Sequence, residues 1–467
     1  MRVLTLLLWL LPFPLPLVAG SMADEIIYFV MVDRFADGNP DNNQDVDLDN
    51  PLAFHGGDLQ GLTAEIDEIA SLGATTIWIT PINLQIDHPT QAEGKDFYPH
   101  HGYWAEDLTK IDPRYGTEDD LLALTTAAHA RGMKIILDVV YNHMGFGASM
   151  TTEQPEWLRQ GDECGGDPVT LCLAGLPDLR TEDPEIMQFL FDAHVGLAER
   201  TGLDGFRLDT TKHITHEFWQ AHRAEVNARL GEDFMLIGEV WDGDRFLAKP
   251  YFQNDELDAL FDFSFRDRVQ KFLTGVYDAA KMGRYLAGRH DTIEGYHLAP
   301  FLSNHDMSML VAMMKGDKEL LALGATTLMT IEGPPVLVYG EALGRRGAMW
   351  PDNRENMPWG AREVLPGSGI ERDDVLREKF RQLIALRKAH PSLRGEVFEV
   401  LYSDKDTLVY LRGNDAIVTI NRSPEAQHVT LDKLTGDWHL AFSTFDADVG
   451  DITTLPPRSG RVFLKSE

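Results

Sequence analysis

The chain has 467 residues, 43% of them hydrophobic, which is ample for a large core and for more than one domain. Its formal net charge of −32 argues against nucleic acid or an anionic membrane surface as partner. The same acidity suits solubility, Asp-rich ion sites or a saline habitat.

The N-terminus opens on Met1-Arg2, an apolar run over 3–18, and Ala19-Gly20-Ser21-Met22-Ala23. A basic start, an apolar stretch and small residues before a cut after Ala23 read as a secretory signal peptide. Pro12, Pro14 and Pro16 make this run a poor spanning helix. The expected product is secreted or periplasmic, with no membrane association after cleavage, and monomeric.

From 26 onward, strand-like and helix-like stretches alternate. Short apolar runs at 26–32, 76–80, 134–140, 205–208, 235–238, 260–264, 298–302 and 336–339 read as buried parallel strands. Helical periodicity lies over 62–72, 118–131, 184–201, 216–230, 266–287, 318–329 and 374–389. Eight strands alternating with helices predict a (β/α)8 TIM barrel. An open doubly wound sheet is the rival, but no Gly-rich phosphate loop follows the first strand.

Two segments break the rhythm. Residues 143–183 form a long polar, Gly-rich excursion after strand three, read as a small inserted subdomain. It holds Cys164 and Cys172, the chain's two cysteines, which in an exported protein predict a loop disulfide. From about 394 the pattern turns to short alternating strands with Asp, Asn and Gly turns, a C-terminal antiparallel β-sandwich domain. The expected division is a leader 1–23, barrel 24–142, insertion 143–183, barrel 184–393 and β-domain 394–467.

Three predicted strands end in a carboxylate: Gly205-Phe206-Arg207-Leu208-Asp209, Leu236-Ile237-Gly238-Glu239, and Phe301-Leu302-Ser303-Asn304-His305-Asp306. In a barrel the loops at these ends converge, so Asp209, Glu239 and Asp306 should face one another. Close carboxyls split their pKa values, leaving one ionised and one protonated near neutral pH. That is the requirement of glycosidic cleavage. Arg207, two residues before Asp209, should point to the same side of its strand. Taken alone it would be a structural ion pair.

The segments Asp138-Val139-Val140-Tyr141-Asn142-His143, 205–213, 238–241 and 301–306 resemble the four short motifs of glycoside hydrolase family 13, the α-amylase family. They occur in that family's order. Leu176-Pro177-Asp178-Leu179 resembles a fifth, in the excursion. The resemblance implies that Asp209 is the nucleophile and Glu239 the acid/base. It implies that Asp306 grips sugar hydroxyls, and that His143 and His305 bond the cleaved sugar. Arg207, Lys212 and His213 fall on substrate-contacting motif positions, and Tyr103 resembles the aromatic platform under the sugar. Trp104, Trp241 and Trp359 are further stacking candidates. Asp352 and Arg354 resemble residues on the non-reducing side.

Oxygen donors crowd 37–43, in Asp37-Gly38-Asn39-Pro40-Asp41-Asn42-Asn43, and Gly56-Gly57-Asp58 follows. Such a set suits Ca²⁺, or an Asx-rich surface turn. By resemblance Asp37, Asn39, Asn42, Asn43, Asp58 and the Gly56 carbonyl are calcium ligands. A second calcium is implied at Asn142, Asp178 and the His213 carbonyl, tying the excursion to the barrel.

Lys212-His213 resembles α-amylases and cyclodextrin-forming transferases. Neopullulanases and cyclomaltodextrinases usually carry Asn-Glu there, and an N-terminal domain for which this chain has no room before Ile26. Transferases place an aromatic after the residue matching Asp178, where this chain has Leu179. The expected activity is retaining endo-hydrolysis of α-1,4 bonds in starch, glycogen or maltooligosaccharides. A cyclomaltodextrinase/neopullulanase-like or glucan-transferring enzyme is the alternative. A noncatalytic glucan-binding protein is the remote one.

Overall fold

The computed structural model describes residues 22–466, apart from 93, 242–244, 290–294, 363, 365–369, 432–433 and 447–449. The expected leader lies outside the described residues except for its last part, which enters a short turn Met22–Asp24.

The central sheet contains β1 (Ile27–Val30), β2 (Thr76–Ile79), β3 (Lys134–Val139), β4 (Gly205–Leu208), β5 (Met235–Gly238), β6 (Ala259–Asp262), β7 (His297–Pro300) and β8 (Val336–Val338). Its strands run in chain order from β1 to β7, and β8 pairs with β1. A parallel bridge from Phe301 to Val336 brings β7 to β8 and closes the barrel. The unbroken apolar runs are explained by burial on both faces: every residue of β1, β2, β4 and β5 is buried. Inside, aromatic rings form a layer. Phe29 lies 3.9 Å from Trp78, and Trp78 lies 5.1 Å from Phe261.

Helical periodicity was legible where helices are long, as in Pro184–Thr201, Lys318–Met329 and Asp374–Ala389. The stretch read as one helix over 266–287 is two, Phe263–Leu273 and Ala279–Ala287. Between them Gly275 takes φ 83°, and Asp278 caps the second helix by accepting from Lys281 N at 2.6 Å. Both breaks are turn chemistry inside an otherwise continuous apolar stripe. A further helix, Arg245–Gln253, contains Pro250, which masked it in the sequence. Two small hairpins after β2 also escaped the sequence: Asn83–Gln85 with Ala105–Ile111, and Thr90–Ala92 with Lys95–Phe97.

The C-terminal sheet holds β9 (Phe398–Ser403), β10 (Thr407–Arg412), β11 (Ala416–Asn421), β12 (Trp438–Ser443) and β13 (Ser459–Lys465), all antiparallel, in the order β9-β10-β11-β13-β12. One face packs on barrel helices: Tyr410 OH meets Thr330 Oγ1 at 2.6 Å. The other face covers its own small core of Val409, Ile417, Val429, Leu455 and Phe463. In the excursion Cys164 and Cys172 are joined, with Cα atoms 5.4 Å apart.

Candidate active site

The ends of β3, β4 and β5 meet at one guanidinium. Arg207 leaves β4 toward the barrel interior, 5.2 Å above the Trp78 ring and 5.8 Å from Phe261. Its Nη1 donates to Asp138 Oδ1 at 2.9 Å and to Asp209 Oδ1 at 2.6 Å. Its Nη2 lies 3.0 Å from Glu239 Oε1. Asp209 and Glu239 are only 7% and 6% exposed, and Asp138 is fully buried. A cation among aromatic rings is the arrangement that can hold these carboxyls together out of water.

The backbone after Asp209 is strained in a useful direction. Thr210 adopts φ 48°, ψ 35°, the left-handed region that a β-branched residue rarely enters. This turn aims the Thr210 N–H at Glu239 Oε2, 3.2 Å away, and the Thr211 N–H at the Glu239 carbonyl, 3.0 Å away. Gly238 is needed just before Glu239, because a Cβ there would sit 2.6 Å from Leu257, 2.7 Å from Leu260 and 2.9 Å from Thr211 Oγ1.

The end of β7 supplies the facing wall. Asp306 opens onto the cleft and takes Arg354 Nη2 at 2.9 Å, with His305 Nε2 3.2 Å from its other oxygen. Tyr103 OH donates to Asp138 Oδ2 at 2.7 Å and lies 2.8 Å from His305 Nε2, its ring stacked on His305 at 5.5 Å. Trp78 Nε1 gives Asp138 a further bond of 3.1 Å. The strand-end acids are thus one connected network rather than separate pairs.

Burial separates the proton affinities. Glu239 is pushed up to about 8 by burial; Arg207 opposes this, while Asp209 and Asp306 add to it. Asp138 is raised to about 7, chiefly by burial against the pull of Arg207. Burial also acts to raise Asp306, but His305, Arg354 and Arg207 outweigh it and the net direction is down. Since burial lowers His305 to about 3, that ring is neutral near pH 7, and Arg354 is the formal charge that keeps Asp306 ionised. Of the two cleft-lining carboxyls with shifted affinities, Glu239 therefore bears a proton at neutral pH, beside an ionised Asp306.

These groups line a cleft of about 570 Å³, within the range of small-ligand sites. Tyr103, His143, Lys212, His213, His305 and Arg354 all line it with the three acids. His143 Nε2 lies 3.2 Å from the Tyr103 carbonyl, and Lys212 Nζ donates to the Trp241 carbonyl at 3.1 Å. Trp104 and Trp241 also line the cleft. Trp359 does not: it is fully buried, with Nε1 bonded to the Phe35 carbonyl at 2.5 Å, and works as core. Asp352 is exposed on the turn Asp352–Arg354 and lies outside the cleft lining. Its buried neighbour Asn353 turns inward instead and holds the His305 carbonyl at 2.8 Å.

No sequence signal marks Phe97, Trp350 or Leu171, Leu173 and Leu176, which complete the cleft walls. Phe97 comes from the small hairpin and meets Trp104 at 4.7 Å and Trp350 at 5.1 Å. No periodic pattern marks such loop aromatics; only the assembled loops bring them together.

The oxygen-rich loop after β1 is arranged around Asp58. This buried carboxylate accepts from the N–H groups of Gly38, Asn39 and Gly61 at 3.1, 2.9 and 2.6 Å. Asn42 Nδ2 reaches Asp58 at 3.2 Å, and Asn43 Nδ2 reaches Asp37 at 2.6 Å. The Oδ1 atoms of Asn42 and Asn43 are buried with no partner. A Cβ on Gly56 would lie 2.7 Å from Asn43 Oδ1, so glycine is required there. Carboxylates beside unpartnered amide oxygens fit a hard cation. Among the described residues no three His, Cys, Asp or Glu side chains converge as metal ligands, so such an ion leans on Asn and carbonyl oxygens.

The second expected ion position looks different. Asp178 is bridged to His143 through the backbone, and the Leu179 N–H bonds the Asn142 carbonyl at 2.8 Å. The His213 ring bonds the Pro168 carbonyl at 2.8 Å. Asp178 Oδ2, however, already accepts from Arg159 Nη1 at 2.8 Å.

Comparison with known proteins identifies the family of this chain. The profile of the alpha amylase catalytic domain matches residues 29–158 and 169–382. A cyclomaltodextrinase from a Bacillus species is 28% identical over 452 residues, covering 88% of this chain and 75% of its own length. The crystal structure of an Anoxybacillus α-amylase superposes with a TM-score of 0.82 at 31% identity, covering 96% of this chain and 99% of its own. The cyclic α-maltosyl-(1→6)-maltose hydrolase of Arthrobacter globiformis gives 0.78 at 27% identity, covering 95% and 99%. The chain belongs to glycoside hydrolase family 13, the α-amylase family.

Proposed function

We propose that this glycoside hydrolase cleaves α-1,4-glucosidic bonds of short and cyclic maltooligosaccharides by the retaining route, in the manner of cyclomaltodextrinases and neopullulanases. The observation that carries the chemistry is the Arg207 fork, which holds Asp209 and Glu239 at hydrogen-bond distance from one guanidinium. A single fork that reaches both carboxyls makes them neighbours, as the retaining separation of about 5–5.5 Å requires.

In this reading Glu239 gives its proton to the departing glycosidic oxygen while Asp209 attacks the anomeric carbon. The Arg207 cation orients Asp209 for attack, donating to its Oδ1 at 2.6 Å. The glycosyl-enzyme ester on Asp209 is then hydrolysed by a water that Glu239, now ionised, deprotonates. Asp306, held by Arg354, accepts hydroxyl hydrogen bonds and favours the flattened, positively charged sugar of the transition state. Tyr103, stacked on His305, offers an aromatic face to the sugar ring. The first-released product is expected to be the α-anomer, and β-anomer in an NMR time course would reject the retaining route.

The preference for short or cyclic chains is supported by the similarity to a cyclomaltodextrinase and to a cyclic maltosyl-maltose hydrolase. Walls of Phe97, Trp350 and the excursion leucines around a compact cleft are consistent with it. The second reading, an endo-acting α-amylase, is favoured by Lys212-His213 and by the likeness to the Anoxybacillus enzyme over nearly its whole length. A product profile decides: kcat/KM on β-cyclodextrin and maltotriose at least tenfold above that on soluble starch is expected. A starch preference with a rapid fall in iodine staining favours the endo-amylase.

We also propose that Asp37, Asn39, Asn42, Asn43, Asp58 and the Gly56 carbonyl hold one calcium ion, whose contribution is to fix the loop after β1. Chelation is expected to lower the melting temperature of the enzyme, and Asp58→Asn to abolish that sensitivity. An unchanged chelator effect in the variant would place the ion elsewhere.

A further inference from the structure

The junction between barrel and excursion already contains a cation of its own. Arg159 is 5% exposed, and Asp178 is 1% exposed. They face each other across the antiparallel pair Leu158–Arg159 and Asp178–Leu179. One Nη donates to Asp178 Oδ2 at 2.8 Å, and the other pairs with Glu182, two residues before the helix Pro184–Thr201. The guanidinium therefore clamps the fifth motif to the chain that leads into the next barrel helix. Backbone bonds run the same way: Met144 N–H to the Pro177 carbonyl at 3.0 Å, and Leu179 N–H to the Asn142 carbonyl at 2.8 Å.

We propose that Arg159 is the resident cation of this junction, so that the excursion is locked to the barrel at Asn142 and Asp178 without a calcium ion. A divalent ion on Asp178 would have to share the carboxylate with a guanidinium that cannot shed its charge. Arg159 has both its Nη groups engaged by acids, and its stem lies in the buried strand pair. Asp178 Oδ1 is buried and has no hydrogen-bond partner. Asn142 Nδ2 lies 3.3 Å from His143 Nδ1. In this proposal a charge present in the chain does the tying that a second calcium was expected to do. Because Leu171, Leu173 and Leu176 of the excursion line the cleft, the same clamp holds one wall of the active site.

The test uses the whole enzyme in an Asp58→Asn background, which removes a ligand of the proposed calcium site after β1. Thermal melts in chelator and in calcium, with bound calcium measured by emission spectroscopy after gel filtration, give readouts independent of activity. The expected result is one melting temperature in both conditions, unaltered calcium content on adding Asp178→Asn, and a melt several degrees lower for Arg159→Met than for Arg159→Lys. The proposal is overturned by a calcium-dependent melt that disappears with Asp178→Asn. It is equally overturned if Arg159→Met melts like its parent. If Asp178→Asn fails to fold, the Arg159 pair still decides. Failure of the first calcium site appears separately, as a wild-type melt already insensitive to chelator.

Discussion

Replacing Glu239 by Gln is expected to lower kcat on maltooligosaccharides by about 10²–10⁴-fold, the range of general acid–base catalysis. The loss should be smaller with an aryl maltoside, whose leaving group departs without a proton. The pH profile is the sharper readout. With the Glu239 carboxyl pushed up to about 8, mainly by burial and by Asp209 and Asp306 against Arg207, kcat/KM should fall as pH rises through about 8. The Gln variant should lack that limb. Stability carries the same signature. The folded enzyme keeps a proton on Glu239 between the ordinary carboxyl value of 4.5 and about 8, while the unfolded chain has lost it. Folding therefore binds one extra proton in that window, and stability falls as pH rises across it. The melting temperature of Glu239→Gln should be flatter there than that of the parent. Parallel curves would show that Glu239 is not the proton-holding group.

Arg207→Gln is the second large effect. It leaves Asp138, Asp209 and Glu239 with no shared cation in a site whose aromatic floor excludes water. Removing one partner of a buried ionic cluster costs about 3–5 kcal/mol, so a marked drop in melting temperature is expected. Activity should fall by at least about 10²-fold, since both reacting carboxyls lose their common anchor. Lys at this position keeps the charge but not the fork, so Arg207→Lys should recover more stability than activity. Asp138→Asn should be strongly non-additive with Arg207→Gln, because Asp138 reaches the reaction only through that guanidinium and through Tyr103. Additive losses would mean that the network is not a unit.

The barrel was legible because its strands are short, apolar and buried on both faces, and because each ends where a loop must begin. Arg207 and Asp209 could be placed on one side of β4 from the two-residue repeat alone, and the 2.6 Å bond between them follows from that. Helices failed where local turn chemistry interrupts an apolar stripe, at Gly275 and Asp278, and where Pro250 lies inside a helix. Asp352 and Asn353 show a finer failure. Neighbours in a turn point opposite ways, and sequence does not say which one faces in.

By itself the sequence determined the barrel, the three strand-end acids, and the cation between them, since periodicity and composition constrain each strand locally. Only the tertiary structure decided which loop aromatics wall the cleft, that Trp359 is core, and that Arg159 sits on Asp178. Those contacts join segments whose separation along the chain carries no repeat, so they exist only once the barrel has brought its loops to one end.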